Sequence, residues 1–253
     1  MNYKVGIFLL SILPFTSCAP KIFQDNFDGD SLNMDHWSYE EGNGCPDLCG
    51  WGNNELQTYS RDYVSVEDGN LVITAFKNGD LYFSGKINTK DKVEFQYGSI
   101  EVRAKLATAK GFWPALWMLG ADVNEVGWPA SGEIDIMEYV GKEPGKVFTS
   151  LHTPASHGNT INTKKTKIEG IEDGFHVFKA DWSKDNIKFY VDDALLYTFV
   201  PKAYDDANYP FRKPFYFLIN LAIGGNLGGS DIDISAFPQK LYVDYIKVTK
   251  LTP

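Results

Sequence analysis

Residues 132–141 read GEIDIMEYVG and place three carboxylates within six positions of an otherwise apolar run. Ile134, Ile136, Met137, Tyr139 and Val140, bounded by Gly132 and Gly141, have the composition of a buried strand. Side chains of a regular strand alternate between faces, so Glu133 and Asp135 share one face and Ile134 and Ile136 the other. Glu138 follows Glu133 at an odd offset, which would aim it into the apolar side. A helix does not align the three either, because a 100° step turns Asp135 and Glu138 away from Glu133. An unpaired carboxylate in a core is costly or is forced neutral. A β-bulge adds one residue and inverts the parity of all that follows. A bulge at Met137 therefore brings Glu133, Asp135 and Glu138 to one face and leaves both isoleucines in the core.

The same alternation runs through the rest of the chain. NLVITAFK (70–77), GSIEVRAKLA (98–107), GFHVFKADW (174–182), NIKFYVDDALLYTF (186–199), PFYFLINLAI (214–223) and KLYVDYIKVTK (240–250) all read as strands. Turn signals separate them, among them Asp192-Asp193 and Gly224-Gly225, and no long amphipathic helical run or internal repeat is present. Many half-buried strands without long helices predict two packed antiparallel sheets, an all-β sandwich of jelly-roll type. At this length a single domain over residues 21–253 is expected.

Acidic residues outnumber basic ones by 33 to 24, and no Lys/Arg block stands out, which argues against a nucleic-acid partner. Aromatic residues make up 15%, which suits a neutral ligand stacked on ring platforms. Lys4 precedes VGIFLLSILPF, an apolar stretch of signal-peptide length and too short to span a bilayer. Thr16 and Ser17 then lead to Cys18 in a pattern that resembles a bacterial lipobox, with Phe15 where Leu is usual. The expectation is a signal peptide over 1–17 and export. Lipidation at Cys18 would be the membrane contact, with ordinary secretion as the alternative; a monomer is expected. Cys45 and Cys49 in GCPDLCG could form a local disulfide, share a metal or remain free thiols; the disulfide is the expected state in an exported chain.

Three carboxylates on one open sheet face repel one another and raise at least one pKa. Retaining glycosidases need that arrangement: one carboxylate ionised as nucleophile, another protonated as acid, about 5–5.5 Å apart. GEIDIMEYVG resembles the signature of glycoside hydrolase family 16 in its bulged form, Glu-x-Asp-x-x-Glu. Similarity to the family's laminarinases extends through GWGNNELQTYS, YFSGKINTK, FQYGSIEVRAKL, GFWPALWMLG, GWPASGEIDIMEYVG, FHVFKADWSKDNIKFYVDD, PFYFLINLAIGGN and FPQKLYVDYIKV, in this order. The resemblance implies a glucan cleft on one sheet, with Glu133 as nucleophile, Glu138 as acid/base and Asp135 orienting Glu133.

It further implies sugar platforms at Trp113 and Trp128, leaves Trp117 open between platform and core, and places Asn53 and Glu55 on a cleft-lining loop. His152 resembles a cleft histidine near the acid/base, and Asn220 and Asn226 resemble subsite amides. Arg103, on a polar strand face with Glu101 and Lys105, reads either as a cleft cation or as a solvated surface residue. No cofactor is expected for catalysis. The family's structural calcium would fall on Asn26, the Gly69 carbonyl and Asp244, with an amide where relatives carry Glu, a weaker ligand for a hard cation. The expected activity is endo-hydrolysis of β-1,3-glucan such as laminarin with retention, and the alternative is mixed-linkage β-1,3/1,4-glucan. A surface glycan-binding lipoprotein without catalysis would have no need of both Glu133 and Glu138.

Overall fold

The computed structural model describes residues 19–251. Two sheets face each other across one core. The first runs in the order Lys164–Lys167, Lys146–His152, Glu133–Tyr139, Phe112–Gly120, Phe215–Ile223, Lys86–Asn88, Ser38–Tyr39, with Glu94–Phe95 also paired to Phe215–Ile223. The second runs Ala194–Phe199, Ile187–Val191, His176–Trp182, Gly98–Lys105, Gln239–Thr249, Asn70–Asn78, Leu81–Ser84, Gln57–Tyr59. Lys21–Asp25 pairs beside Gln239–Thr249, and Val64–Glu67 beside Asn70–Asn78. Pairing is antiparallel except between Gln57–Tyr59 and Leu81–Ser84. The expected strands are present, and the stretch 186–199 is a hairpin whose turn residues Asp192 and Asp193 both take positive φ, as a two-residue hairpin loop requires. Among the described residues the α-helices are only four-residue turns. The jelly-roll sandwich expected from the alternation is the observed fold.

Phe112, Leu116, Met118, Ile134, Ile136, Phe217 and Ile219 of the first sheet pack against Ile73, Ile100, Val102, Phe178, Phe189 and Ile246 of the second. Trp37 and Trp182 are buried in that core. The bulge lies where Ile136 and Met137 together oppose one residue, with Asp135 paired to Ser150 and Glu138 to Phe148. Toward the tryptophan strand, Met137 pairs with Leu116 and Asp135 with Trp117, so the extra residue is Ile136. The expectation of a bulge at Met137 is thus off by one on that side. Both side chains are apolar and buried, so either could be absorbed by the core, and only the register shows which one is unpaired.

Register then aligns the other face of the first sheet in rows. One row carries Tyr216, Leu119, Glu133 and His152; the next carries Asn88, Leu218, Trp117, Asp135 and Ser150. A third carries Lys86, Asn220, Ala115, Glu138 and Phe148. These rows form the floor of the site.

Candidate active site

Glu133, Asp135 and Glu138 stand together on the floor, the two glutamates each held by an indole N–H. Trp128 Nε1 donates to Glu133 Oε2 at 2.9 Å, and Trp113 Nε1 donates to Glu138 Oε1 at 3.0 Å. Ser150 Oγ approaches the other Glu138 oxygen at 3.5 Å and is itself 2.9 Å from Thr163 Oγ1. His152 Nε2 lies 3.1 Å from Asp135 Oδ2 and 3.6 Å from Glu133 Oε1. The Gly158 amide donates to His152 Nδ1 at 3.1 Å, so the neutral ring carries its hydrogen on Nε2, toward the carboxylates. His157, which carries no signal in the sequence, meets Trp128 edge-on at 5.2 Å.

Electrostatics follow from this crowding. Burial, then the charge of Asp135, pushes Glu133 up to about 8. Burial, with the charge of Glu133 adding to it, pushes Glu138 up to about 7 against the opposing pull of His152. Asp135 is raised well above its ordinary value by burial and by Glu138. At neutral pH the set therefore holds protons as well as charge, the condition for an acid and a base to work side by side. Glu133 keeps 18% of its side chain exposed, an opening through which an incoming atom can reach it.

The two platform tryptophans separate. Trp128 is 46% exposed beside His152 and His157, free to stack on a ring. Trp113 is only 9% exposed and packs with Val140, Phe148 and Ala222, so it grips Glu138 and offers little open face. Its neighbours on the carboxylate strand were legible, but the depth of the Trp113 ring is a tertiary property. Trp117 faces the floor and donates from Nε1 to Asn220 Oδ1 at 2.8 Å.

Asn220 Nδ2 donates in turn to Tyr59 Oη at 3.0 Å, and Tyr59 donates to Glu55 Oε2 at 3.0 Å. Glu55 also accepts from Gln57 at 2.6 Å and from Asn53 at 3.2 Å, while burial raises its pKa. Asn226 joins this loop through its amide to the Asn53 carbonyl at 2.7 Å and through its side chain to Asn54 at 2.8 Å. Sequence reading missed Trp51, Gln57, Tyr59 and Lys86, which complete this end of the floor. The signal available was a lone lysine inside a short apolar strand, in YFSGKINTK.

Arg103 is not in the cleft. It lies on Gly98–Lys105 in the second sheet, paired with Asp244 and stacked at 4.6 Å on Phe175. Glu101 and Lys105 on the same face made the solvated reading equal to the cleft reading, and sheet assignment decides for the former. That pairing also bears on calcium. Arg103 occupies the Asp244 carboxylate, and Asn26 is engaged by Gln24 at 2.6 Å and Asp28 at 3.2 Å. These donors are committed to protein partners, and the set does not fit a calcium ion as arranged. Cys45 and Cys49 are joined in a disulfide beside the Trp51 loop.

Comparison with known proteins places these features in a lineage. The model of the family described as Glycosyl hydrolases family 16 matches residues 52–247. A glucan endo-1,3-beta-glucosidase A1 of Niallia circulans is 40% identical over 90% of this chain, which spans 37% of that protein's length. A beta-glucanase of Rhodothermus marinus is 36% identical over 90% of this chain and 84% of its own. The crystal structure of a laminarinase from Flavobacterium sp. UMI-01 superposes with a TM-score of 0.89 at 55% identity, covering 91% of this chain and 100% of that one.

Proposed function

This chain belongs to glycosyl hydrolases family 16, and from that premise we propose that it hydrolyses internal β-1,3-glucosidic bonds of laminarin-like glucan with retention of configuration. The single observation that carries the proposal is the bulged strand, which sets Glu133, Asp135 and Glu138 side by side on one desolvated floor beside an exposed Trp128. In the double displacement, Glu133 attacks the anomeric carbon while Glu138 gives its proton to the departing oxygen; Glu138 then takes a proton from the water that releases the sugar. Trp128 donates its indole N–H to Glu133 and holds it in line for attack, with the His152 ring beside it at 3.6 Å. Trp113 and Ser150 hold Glu138. Asp135, between them in the register, couples their charges and orients Glu133.

Mixed-linkage β-1,3/1,4-glucan is the second reading. It is favoured by a similar solved structure, SCLam, described as a non-specific endo-beta-1,3(4)-glucanase, at 37% identity over 93% of this chain. The test is product release from laminarin, barley mixed-linkage glucan and carboxymethyl cellulose, with the anomer of the first product read by NMR. Laminarin should be the best substrate and release β-configured ends. No release from any β-glucan would leave a binding protein, and α-configured ends would overturn the retaining mechanism.

Export of the chain and lipidation of Cys18 are proposed from the sequence of the first 18 residues, which lie outside the described residues. Cys18→Ser should release or misprocess an anchored protein, and a wild-type chain wholly soluble outside the cell would rule the anchor out.

A further inference from the structure

Among the described residues Lys86 is the only basic side chain that is buried, at 7% exposure. It stands on Lys86–Asn88 directly across from Asn220, in the same row as Glu138. Three strand spacings separate Lys86 from Glu138, on the order of 14 Å, so it cannot touch the reacting bond. Its ammonium is 2.8 Å from Glu40 Oε2 and 4.1 Å from the centre of the Trp51 ring. Trp117 is 5.3 Å away and Tyr59 6.0 Å. Glu40 is fixed from behind by Asn88 Nδ2 at 2.8 Å and by its own amide on the Lys86 carbonyl at 2.9 Å.

A buried cation is tolerated only when paired, and an ammonium against ring faces gains from their quadrupoles most strongly when desolvated. A methionine at this position would fill a similar space without a charge to neutralise, so packing alone does not explain a lysine. What the charge does is visible in its neighbours. It draws Trp51, Trp117 and Tyr59 around one point. It also faces Glu55, whose carboxylate it favours against the effect of burial. Glu55 is reached by Tyr59 from Gln57–Tyr59 and by Lys86 from Lys86–Asn88. Glu40 lies beyond Lys86, and the remaining contacts, Asn53 and Gln57, are neutral.

We propose that Lys86 is a positioning residue for substrate recognition, fixing the Trp51 and Trp117 ring faces and the Glu55 hydrogen-bond acceptor in the arm of the cleft away from Trp128, and thereby fitting that arm to an uncharged sugar unit. One ammonium between Glu40 and Glu55 leaves the arm net negative, which disfavours a sulfated or uronate unit there. The inference rests on the reading of the protein as a glucan hydrolase.

The test compares wild type, Lys86→Met and Lys86→Arg on laminarin between pH 5 and pH 8. Loss of the ammonium should raise KM about tenfold and change kcat by less than about threefold, with Lys86→Arg recovering most of the loss. Without the ammonium Glu55 takes up its proton at higher pH, so the KM defect should be larger at pH 5 than at pH 8. A structural role alone would raise KM equally at all pH values and lower the melting temperature, and that result overturns the proposal. So does a fall in kcat with KM unchanged. If Lys86→Met does not fold, Glu40→Gln provides the second variant: it loosens the lysine and should weaken binding in the same direction. Failure of the wild type to cleave any β-glucan would instead sink the hydrolase reading. Calorimetric titration of the same proteins with laminari-oligosaccharides still decides the role of Lys86, which requires about tenfold weaker binding by Lys86→Met.

Discussion

The two sheets of this sandwich use the same kind of strand in opposite ways. Gly98–Lys105, in the second sheet, alternates buried and half-exposed residues along its length, one face to the core and one to water. Phe215–Ile223, in the first sheet, is buried at all nine positions. The outer face of the second sheet carries ion pairs such as Arg103–Asp244, Lys247–Glu101 and Lys240–Glu67, each partly solvated. The outer face of the first sheet carries carboxylates, a lysine and indoles that have been taken out of water. Desolvation is what raises Glu133 and Glu138, and solvation is what keeps the second sheet chemically quiet. A strand that stops alternating without becoming a core strand on both sides is, in this molecule, the mark of the cleft.

The comparison breaks most sharply at the carboxylates. Glu133→Ala and Glu138→Ala should each lower kcat/KM on laminarin by about 10³-fold or more, whereas Glu101→Ala on the second sheet should stay within about twofold. Azide separates the two roles. With an activated β-glucoside, Glu138→Ala still forms the covalent intermediate and azide should yield the β-azide. Glu133→Ala lacks the nucleophile and should yield the α-azide from the vacated face. Reversed anomers would exchange the two assignments.

The tryptophans sharpen the comparison within the first sheet itself. Trp113→Ala removes a buried ring and the donor to Glu138, so it should cost about 3–5 kcal/mol of stability as well as activity. Trp128→Ala removes an exposed ring and should weaken polymer binding by roughly 1–3 kcal/mol, a stacking magnitude borrowed from bases on aromatics, with little change in melting temperature. Thermal melts and affinity electrophoresis on laminarin check both. Equal losses of stability in the two variants would show that Trp128 is part of the core.

What could be read from the sequence follows the same divide. Alternation located the strands of both sheets, because period-two patterning records one wet face and one dry face. The odd spacing of Glu138 disclosed the bulge, because a carboxylate cannot be left in the core. Residue-by-residue patterning could not assign Arg103 to a sheet, since a polar strand face looks alike over water and over a cleft. Lys86, Tyr59 and Gln57 escaped for the complementary reason: their strands are three residues long, too short for a period, and their chemistry arises only when the Gln57–Tyr59 and Lys86–Asn88 segments meet Phe215–Ile223.

Stability against pH distinguishes the sheets by sign. Glu133 and Glu138 hold protons to about 8 and about 7 in the folded protein, against 4.5 unperturbed. Between those values the folded chain binds more protons than the unfolded one, so their contribution is most favourable below pH 4.5 and declines as pH rises toward 8. Glu67, on the second sheet, is lowered by Ser65 and Lys240, so its small contribution is present above pH 4.5 and lost as pH falls. Removing the Glu138 charge by Glu138→Gln should relieve the desolvation penalty at pH 8 and flatten the decline. Denaturant melts of both proteins at pH 5 and pH 8 read this directly. A wild-type stability that rises from pH 5 to pH 8 would contradict the buried, protonated cluster.

The smallest effect is expected where the sequence offered a cleft cation. Arg103 and Asp244 keep 40% and 34% of their side chains in water, and an exposed ion pair contributes about 1 kcal/mol or less. Its stacking on Phe175 adds packing that a methionine can largely replace. Arg103→Met should therefore leave kcat/KM on laminarin unchanged and shift the melting temperature only slightly. Because Arg103 already neutralises Asp244 in the wild type, EDTA and added calcium should leave its melting temperature where it was. In Arg103→Met the Asp244 carboxylate is released, yet Asn26 remains engaged by Gln24 and Asp28, so calcium should gain at most a weak hold. A wild-type melting temperature that falls with EDTA would show that the cation outcompetes the arginine. A tenfold loss of activity in Arg103→Met would show that the outer face of the second sheet reaches the chemistry, and the division between the two sheets would fail.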